Sequence, residues 1–262
     1  MLNLQIPRDR VYIVGLGPGA PELLTIKAYA ILNSADVCLY TGSLLSRDLK
    51  RLILEKCPET YDTNRLSAED IVNIIVSKYR EGKLVAWFHD GCPTIYGGLW
   101  PVIKKLRELS IPYEIVPGVS SVNAAAAALG VELTVPERSQ TVIITRVPGR
   151  TKVPENESLR YLVNHGTLVL LLSVHDPEKL QSELVNAGLS PDADVAVVQY
   201  ATWRGDEKII KCKLRELSNI LRKENVLRCA VVIIGPCTSS DVWTTEVEEY
   251  VYSKNRVSQQ RK

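Results

Sequence analysis

The feature that most limits what this chain can fold into is the regular alternation, through its first half, of short β-branched apolar runs with helical patterns. Val11 to Leu16, Val37 to Tyr40, Leu84 to Phe88 and Tyr113 to Val116 read as strands, and helical segments lie between them. Strands separated by helices pair through crossovers rather than tight turns, so this order implies a parallel sheet covered by helices, with right-handed connections. Small ligands bind such sheets at the carboxyl ends of the strands.

The second half is built differently. Strands are expected at Thr141 to Thr145, Thr167 to Leu172, Asp194 to Tyr200, Glu207 to Cys212 and Cys229 to Ile234, with helices near Glu155 to Asn164, Pro177 to Ala187 and Leu214 to Glu224. The link from Tyr200 to Glu207 is too short for a helical crossover, so those two strands form an antiparallel hairpin and the second sheet is mixed. The stretch from Pro117 to Pro136, a turn, an alanine-rich helix and a second turn, reads as a bridge. The expectation is an α/β protein of two domains, 1–116 and 117–241, followed by a polar tail, 242–262, that frays.

With 262 residues and a formal net charge of +2, the chain can bury a substantial core but has no global field. Nucleic acid is therefore not an expected partner, and an anionic ligand must be held by locally placed Arg and Lys. The six cysteines, Cys38, Cys57, Cys92, Cys212, Cys229 and Cys237, lack the close spacing of a zinc site or a redox pair. They read as free thiols of a reducing compartment, and no protein-held metal is expected. No apolar run approaches the ~20 residues needed to span a bilayer, and Met1 to Arg10 has no signal-peptide core, so a cytoplasmic location without membrane association is expected.

Gly15-Leu16-Gly17-Pro18-Gly19-Ala20 follows the first strand and precedes a helix expected from about Pro21. Its spacing formally fits a dinucleotide fingerprint, which would make the chain an oxidoreductase. Two residues speak against that. Pro18 lacks the N–H that a phosphate cradle uses, and the second strand ends without the Asp or Glu that holds a ribose. A purely structural turn is the other reading.

The loop's continuation to Lys27, then Tyr40-Thr41-Gly42-Ser43-Leu44, Gly91-Cys92-Pro93-Thr94-Ile95-Tyr96-Gly97, Pro117-Gly118-Val119-Ser120-Ser121 and Glu132-Leu133-Thr134-Val135-Pro136 follow in an order that resembles the tetrapyrrole methylases. The likeness runs from about Val11 to Gly235. It implies two α/β domains with S-adenosylmethionine in the cleft between them, an anionic tetrapyrrole substrate and a homodimer. Gln140 to Arg146, Gly149 to Thr151, the Tyr40 to Leu44 loop, and Ala201-Thr202-Trp203 with Asp206-Glu207-Lys208 resemble the branch that methylates precorrin-4 or its cobalt form at C11 in cobalamin biosynthesis. The alternatives are another precorrin methylase, a uroporphyrinogen III methyltransferase, or a non-catalytic tetrapyrrole-binding protein.

The resemblance places the cofactor against Pro18, Asp90, Gly91, Cys92, Ile95, Ser120, Ser121, Leu172, Ala201 and Ala230. Cys92 stands where the family usually has Asp, which exchanges a carboxylate for a thiol, a weak acceptor. Substrate carboxylates call for Arg with its bidentate fork, and Arg146, Arg150 and Arg65 are the candidates. Ser43 and Tyr40 could hydrogen-bond substrate or take a proton, and His89 could act as acid, base or ligand to substrate cobalt. Trp87 reads as core, while Trp100 and Trp203 could stack on a macrocycle.

Overall fold

A computed structural model of the protein describes residues 4–149 and 152–239. Its contacts divide the chain into two compact units, one running to Ala124 and taking in Tyr200–Glu207, the other comprising Ala125–Gln199 and the chain from Lys208 onward.

The first unit contains β1 (Val11–Gly15), β2 (Val37–Tyr40), β3 (Glu59–Asp62), β4 (Val85–His89) and β5 (Tyr113–Val116), in the order β3-β2-β4-β1-β5 with every pairing parallel. All residues of β1, β2 and β4 are buried, as a strand covered on both faces requires. Tyr12, Val14, Phe88 and Cys38 pack with Ile31 and Leu32 of α1 (Ile26–Ser34) and Leu49 and Ile53 of α2 (Arg47–Lys56). On the other face Ile13, Leu39, Val85 and Trp87 pack with Ile71 and Ile75 of α3 (Ala68–Arg80) and Val102 and Leu106 of α4 (Trp100–Glu108). Thr25, Ser46 and Ser67 cap the first three helices through their hydroxyls.

Three expectations change here. The edge strand β3 was not foreseen, because Glu-Thr-Tyr-Asp carries no apolar run and is only partly buried. The helix expected from Pro21 is a single 3₁₀ turn, Pro21–Leu23, after which Leu24 is extended and α1 begins at Ile26. Cys38 and Cys57 are not free thiols but form a disulfide, with Cα atoms 6.2 Å apart. Sequence spacing held no sign of it; the pair meets because α2 folds back along β2, leaving Cys57 just past the helix end.

The second unit carries β6 (Val142–Thr145), β7 (Thr167–Leu170), β8 (Asp194–Gln199), β9 (Lys208–Lys213) and β10 (Ala230–Ile234), in the order β6-β7-β10-β8-β9. Only β6 with β7 is parallel, and β8 with β9 is the expected antiparallel pair. Its core gathers Leu168, Leu170, Val195, Val197 and Val232 under Leu180 and Leu184 of α6 (Pro177–Asn186) and Leu217 and Leu221 of α7 (Leu217–Lys223). The helix expected over Glu155 to Asn164 is instead two 3₁₀ turns, Glu155–Glu157 and Leu159–Tyr161, split by an extended Ser158. The helix α5 (Ser121–Leu129) runs across the division of the units. The tail expected to fray lies outside the described residues.

Candidate active site

In the first sheet β1 and β4 are neighbours, yet α1 follows β1 on one face and α4 follows β4 on the other. The helices leaving these strands therefore lie on opposite faces, a topological switch of the kind at whose carboxyl ends open α/β sheets bind ligands. Gly17 and Gly91 bridge the two loops by a reciprocal pair of hydrogen bonds, Gly17 N to Gly91 O at 3.1 Å and Gly91 N to Gly17 O at 2.8 Å. The loop after β5 joins them. A Cβ on Gly118 would stand 2.2 Å from the Gly91 carbonyl oxygen, and one on Gly15 would stand 2.6 Å from Gly118 N. Three loops thus meet backbone to backbone at positions where only glycine fits.

The carbonyls of the Gly15 to Ala20 loop are used one after another. Gly91 N donates to Gly17 O, Trp203 Nε1 to Pro18 O at 2.9 Å, Ser46 Oγ to Gly19 O, and Leu23 N to Ala20 O. Of its donors, Gly17 N is committed to Gly91, Ala20 N donates to Thr202 Oγ1 at 3.1 Å, and Pro18 has none. A phosphate cradle needs several amides aimed outward and a helix N-terminus directly behind them. Neither is present in this loop, so the dinucleotide alternative loses its structural basis.

Asp90, Gly91, Cys92 and Ile95 follow β4, and Ser120 and Ser121 follow β5, so this part of the expected cofactor set is brought to one edge. Pro18 is buried in its loop, and Ser120 Oγ accepts from Val122 N at the start of α5. The Asp90 side chain keeps an exposed surface, yet the protein packed around its carboxyl disfavours the charge and pushes its pKa up to about 6. Burial alone would raise the Cys92 thiol, but hydrogen bonds with the Thr94 hydroxyl at 3.1 Å and from the backbone N–H groups of Gly118 and Thr94 outweigh it, leaving the thiol below its ordinary value.

Ser43 and Arg65 are exposed on the loops after β2 and β3, where Thr41 and Thr63 hydroxyls lie 2.7 Å apart, Gly42 N donates to Asp62, and Ser43 Oγ donates to Asn64 Oδ1. The contacts of this loop with Asp62 and Asn64 were not visible in the sequence, because β3 itself was not legible. Tyr40 and His89 are both buried. Tyr40 is 5% exposed in the core, where burial raises its phenol pKa. His89 is buried with its ring centroid 4.2 Å from that of Trp87, and desolvation lowers its pKa to about 4. Its Nε2 has no partner among the described residues.

Ala201 is buried in the segment that joins β8 to β9 and groups with the first unit. In the second unit Leu172, directly after β7, is 60% exposed with φ of 55°, a costly conformation for a bulky residue. Ala230 is buried at the start of β10, and Arg146, following β6, donates to Lys152 O at 3.0 Å. Arg150 lies outside the described residues. Trp87 is core, as expected; Trp100 is 81% exposed at the start of α4. Among the described residues no cluster of three or more His, Cys, Asp or Glu could hold a metal ion.

The sequence matches the family described as tetrapyrrole (corrin/porphyrin) methylases over residues 10–218, which contain the loops after β1, β4 and β5. The chain is a tetrapyrrole methylase. It is 41% identical to the cobalt-precorrin-4 C(11)-methyltransferase of Methanocaldococcus jannaschii, over 94% of this methylase and 92% of that protein. The crystal structure of a cobalamin biosynthetic enzyme, cobalt precorrin-4 methyltransferase, superposes with a TM-score of 0.82 at 40% identity, covering 89% of this methylase and 99% of that chain. A uroporphyrin-III C-methyltransferase from Thermus thermophilus, in complex with S-adenosylhomocysteine, gives 0.72 at 27% identity, covering 92% and 96%.

Proposed function

We propose that this methylase transfers a methyl group from S-adenosylmethionine to C11 of cobalt-precorrin-4 in corrin formation. The observation that carries the reading is the contrast in likeness: 40% identity to the cobalt precorrin-4 enzyme against 27% to the uroporphyrin-III enzyme, each over about nine-tenths of the chain. The branch segments Tyr40 to Leu44 and Gln140 to Arg146 support it.

The glycine junction of Gly15, Gly91 and Gly118 supports such a cofactor site indirectly, by holding three loops backbone to backbone and so fixing the shape of the edge at which the cofactor would bind. Pro18, Asp90, Gly91, Cys92, Ile95, Ser120, Ser121 and Ala201 would hold it, with Leu172 and Ala230 of the second unit proposed from the family resemblance alone. When bound, S-adenosylmethionine supplies an activated methyl with a good leaving group, so the protein's task is chiefly to align the donor and the attacking carbon. Asp90 and the hydrogen-bonded Cys92 offer acceptors to a cationic ligand. Arg65, Arg146 and Arg150 would hold substrate carboxylates, and Ser43 would bond a substrate polar group. Cobalt arrives within the substrate.

A homodimer, supported by the family resemblance, and a cytoplasmic location complete the proposal, the latter without the free-thiol support for a reducing compartment, which the Cys38–Cys57 disulfide removes. No helix among the described residues is long and apolar enough to cross a membrane. The deciding experiment is an anaerobic incubation with S-adenosylmethionine and either cobalt-precorrin-4 or precorrin-4, read by mass and carbon NMR. One methyl added at C11, faster on the cobalt substrate, supports the reading. Methylation at another position, or none despite cofactor binding, overturns it.

A further inference from the structure

Tyr200–Glu207 joins β8 to β9, but its side chains are engaged with the loop after β1. Trp203 donates its indole N–H to Pro18 O at 2.9 Å, and its ring lies so close to Gly19 that a Cβ there would stand 2.1 Å from Cδ1. Thr202 Oγ1 accepts from Ala20 N at 3.1 Å. Arg204 pairs with both carboxylate oxygens of Glu22, at 3.0 and 3.1 Å. The loop and the turn that follows it are thus gripped by three successive residues of the segment.

The segment is shaped for this grip. Tyr200 and Thr202 are both left-handed, at φ 53° and 68°, which is unusual for a β-branched threonine. Glu207 holds Thr202 by accepting its N–H at 2.7 Å, Trp203 N donates to Tyr200 O at 2.8 Å, and the Tyr200 and Trp203 rings stack with centroids 4.5 Å apart. Strain of this kind persists where surrounding contacts over-determine it, and it clusters at functional sites.

We propose that Trp203, supported by Thr202, is a positioning residue that locks the Gly15 to Ala20 loop in its cofactor-binding shape. The indole is engaged with Pro18 and Gly19, so it is not a platform for the macrocycle. Locking the loop beforehand removes the ordering cost that a free loop would meet on binding, so the lock is read out as cofactor affinity. The inference rests on the reading that S-adenosylmethionine binds at this loop.

The test is isothermal titration of the full-length protein with S-adenosylhomocysteine, comparing the wild type with Trp203→Phe, Trp203→Ala and Thr202→Val, alongside KM for the tetrapyrrole and the melting temperature. Trp203→Phe keeps an aromatic ring but loses the N–H donor and the part of the indole against Gly19, and should weaken binding about three- to tenfold. Trp203→Ala should exceed tenfold, and Thr202→Val should lie near Trp203→Phe. The tetrapyrrole KM should stay within about twofold at saturating cofactor. A lower melting temperature with unchanged affinity in Trp203→Phe and Thr202→Val would reduce the segment to scaffolding and overturn the proposal. So would a raised tetrapyrrole KM with unchanged cofactor affinity, the mark of a stacking platform. If the wild type itself fails to bind S-adenosylhomocysteine, the cofactor reading falls first and the lock falls with it.

Discussion

The two sheets of this protein solve the same packing problem in opposite ways. The first is all parallel, with its central strands buried on both faces, so the loops at its carboxyl edge are drawn together by the strands beneath them. The second is mixed and ends in the edge strand β9, whose residues are exposed or half-exposed throughout, a charged Lys-Ile-Ile-Lys-Cys-Lys run that blunts the edge. A parallel sheet thus concentrates backbone contacts at one edge, where a single added methyl group is intolerable. The mixed sheet spreads its turns over both ends.

The sharpest break in that comparison is Gly118→Ala, whose Cβ would collide with Gly91 and Gly15 backbone. It should destabilise the first unit by roughly 3–5 kcal/mol and abolish S-adenosylhomocysteine binding, as measured by chemical denaturation and titration. Next comes the disulfide. Reducing Cys38–Cys57, which closes a loop of sequence separation 19, should lower stability by about 3 kcal/mol in a denaturation curve run with and without reductant. Coincident curves would show the bridge to be dispensable.

His89 carries a pH signature of comparable size. Its folded pKa of about 4 lies below the ordinary 6.5, so the unfolded chain binds the extra proton between those values. The stability it contributes is complete above pH 6.5 and is lost as pH falls towards 4, to about 3 kcal/mol at most. Asp90 works in the other direction. Its raised pKa makes the folded state more stable at low pH and less so as pH rises through about 6, with a smaller amplitude because the carboxylate is partly solvated. Urea denaturation between pH 4 and 7 should show Asp90→Asn more acid-labile than wild type, and His89→Phe less.

The same Asp90 titration should appear in binding. Affinity for S-adenosylmethionine, whose groups are partly cationic, should rise about fivefold from pH 5 to pH 7.5 in wild type and stay flat in Asp90→Asn. The smallest effect belongs to the second unit. Gly188 is left-handed at φ 102° after α6, but a Cβ added there would meet no atom within 4 Å, so Gly188→Ala should cost about 1 kcal/mol and leave cofactor affinity unchanged. An equal cost at Gly188 and Gly118 would erase the contrast between the sheets.

The alternating pattern made β1, β2, β4 and β5 legible because buried parallel strands are continuous apolar runs. The short link after Tyr200 likewise disclosed the β8–β9 pair, since geometry forbids a crossover there. β3 was invisible because an edge strand needs no apolar run, and the turn at Leu159–Tyr161 was misread because Ser158 breaks a helix that composition alone allows. At the candidate site, Asp90, Gly91, Cys92, Ser120 and Ser121 came from the family resemblance, and the structure shows that they lie in loops after two readable strands, β4 and β5. Asn64 and Asp62 belong to an unreadable one and the turn after it.

What the sequence determined by itself was the alternation of the buried strands with helices, the parallel character of the first sheet and the family resemblance, because these rest on periodicity and on residues adjacent in the chain. What only the tertiary structure decided was which distant groups meet. Cys38 finds Cys57, Gly118 finds Gly91 and Gly15, and Trp203 finds Pro18 and Gly19 across 185 positions. It also decided that Tyr40 and His89 are buried, and that hydrogen bonds bring the Cys92 thiol below its ordinary pKa. Burial and hydrogen bonding, which set those properties, are sums over neighbours in space, and a linear chain does not state who its neighbours are.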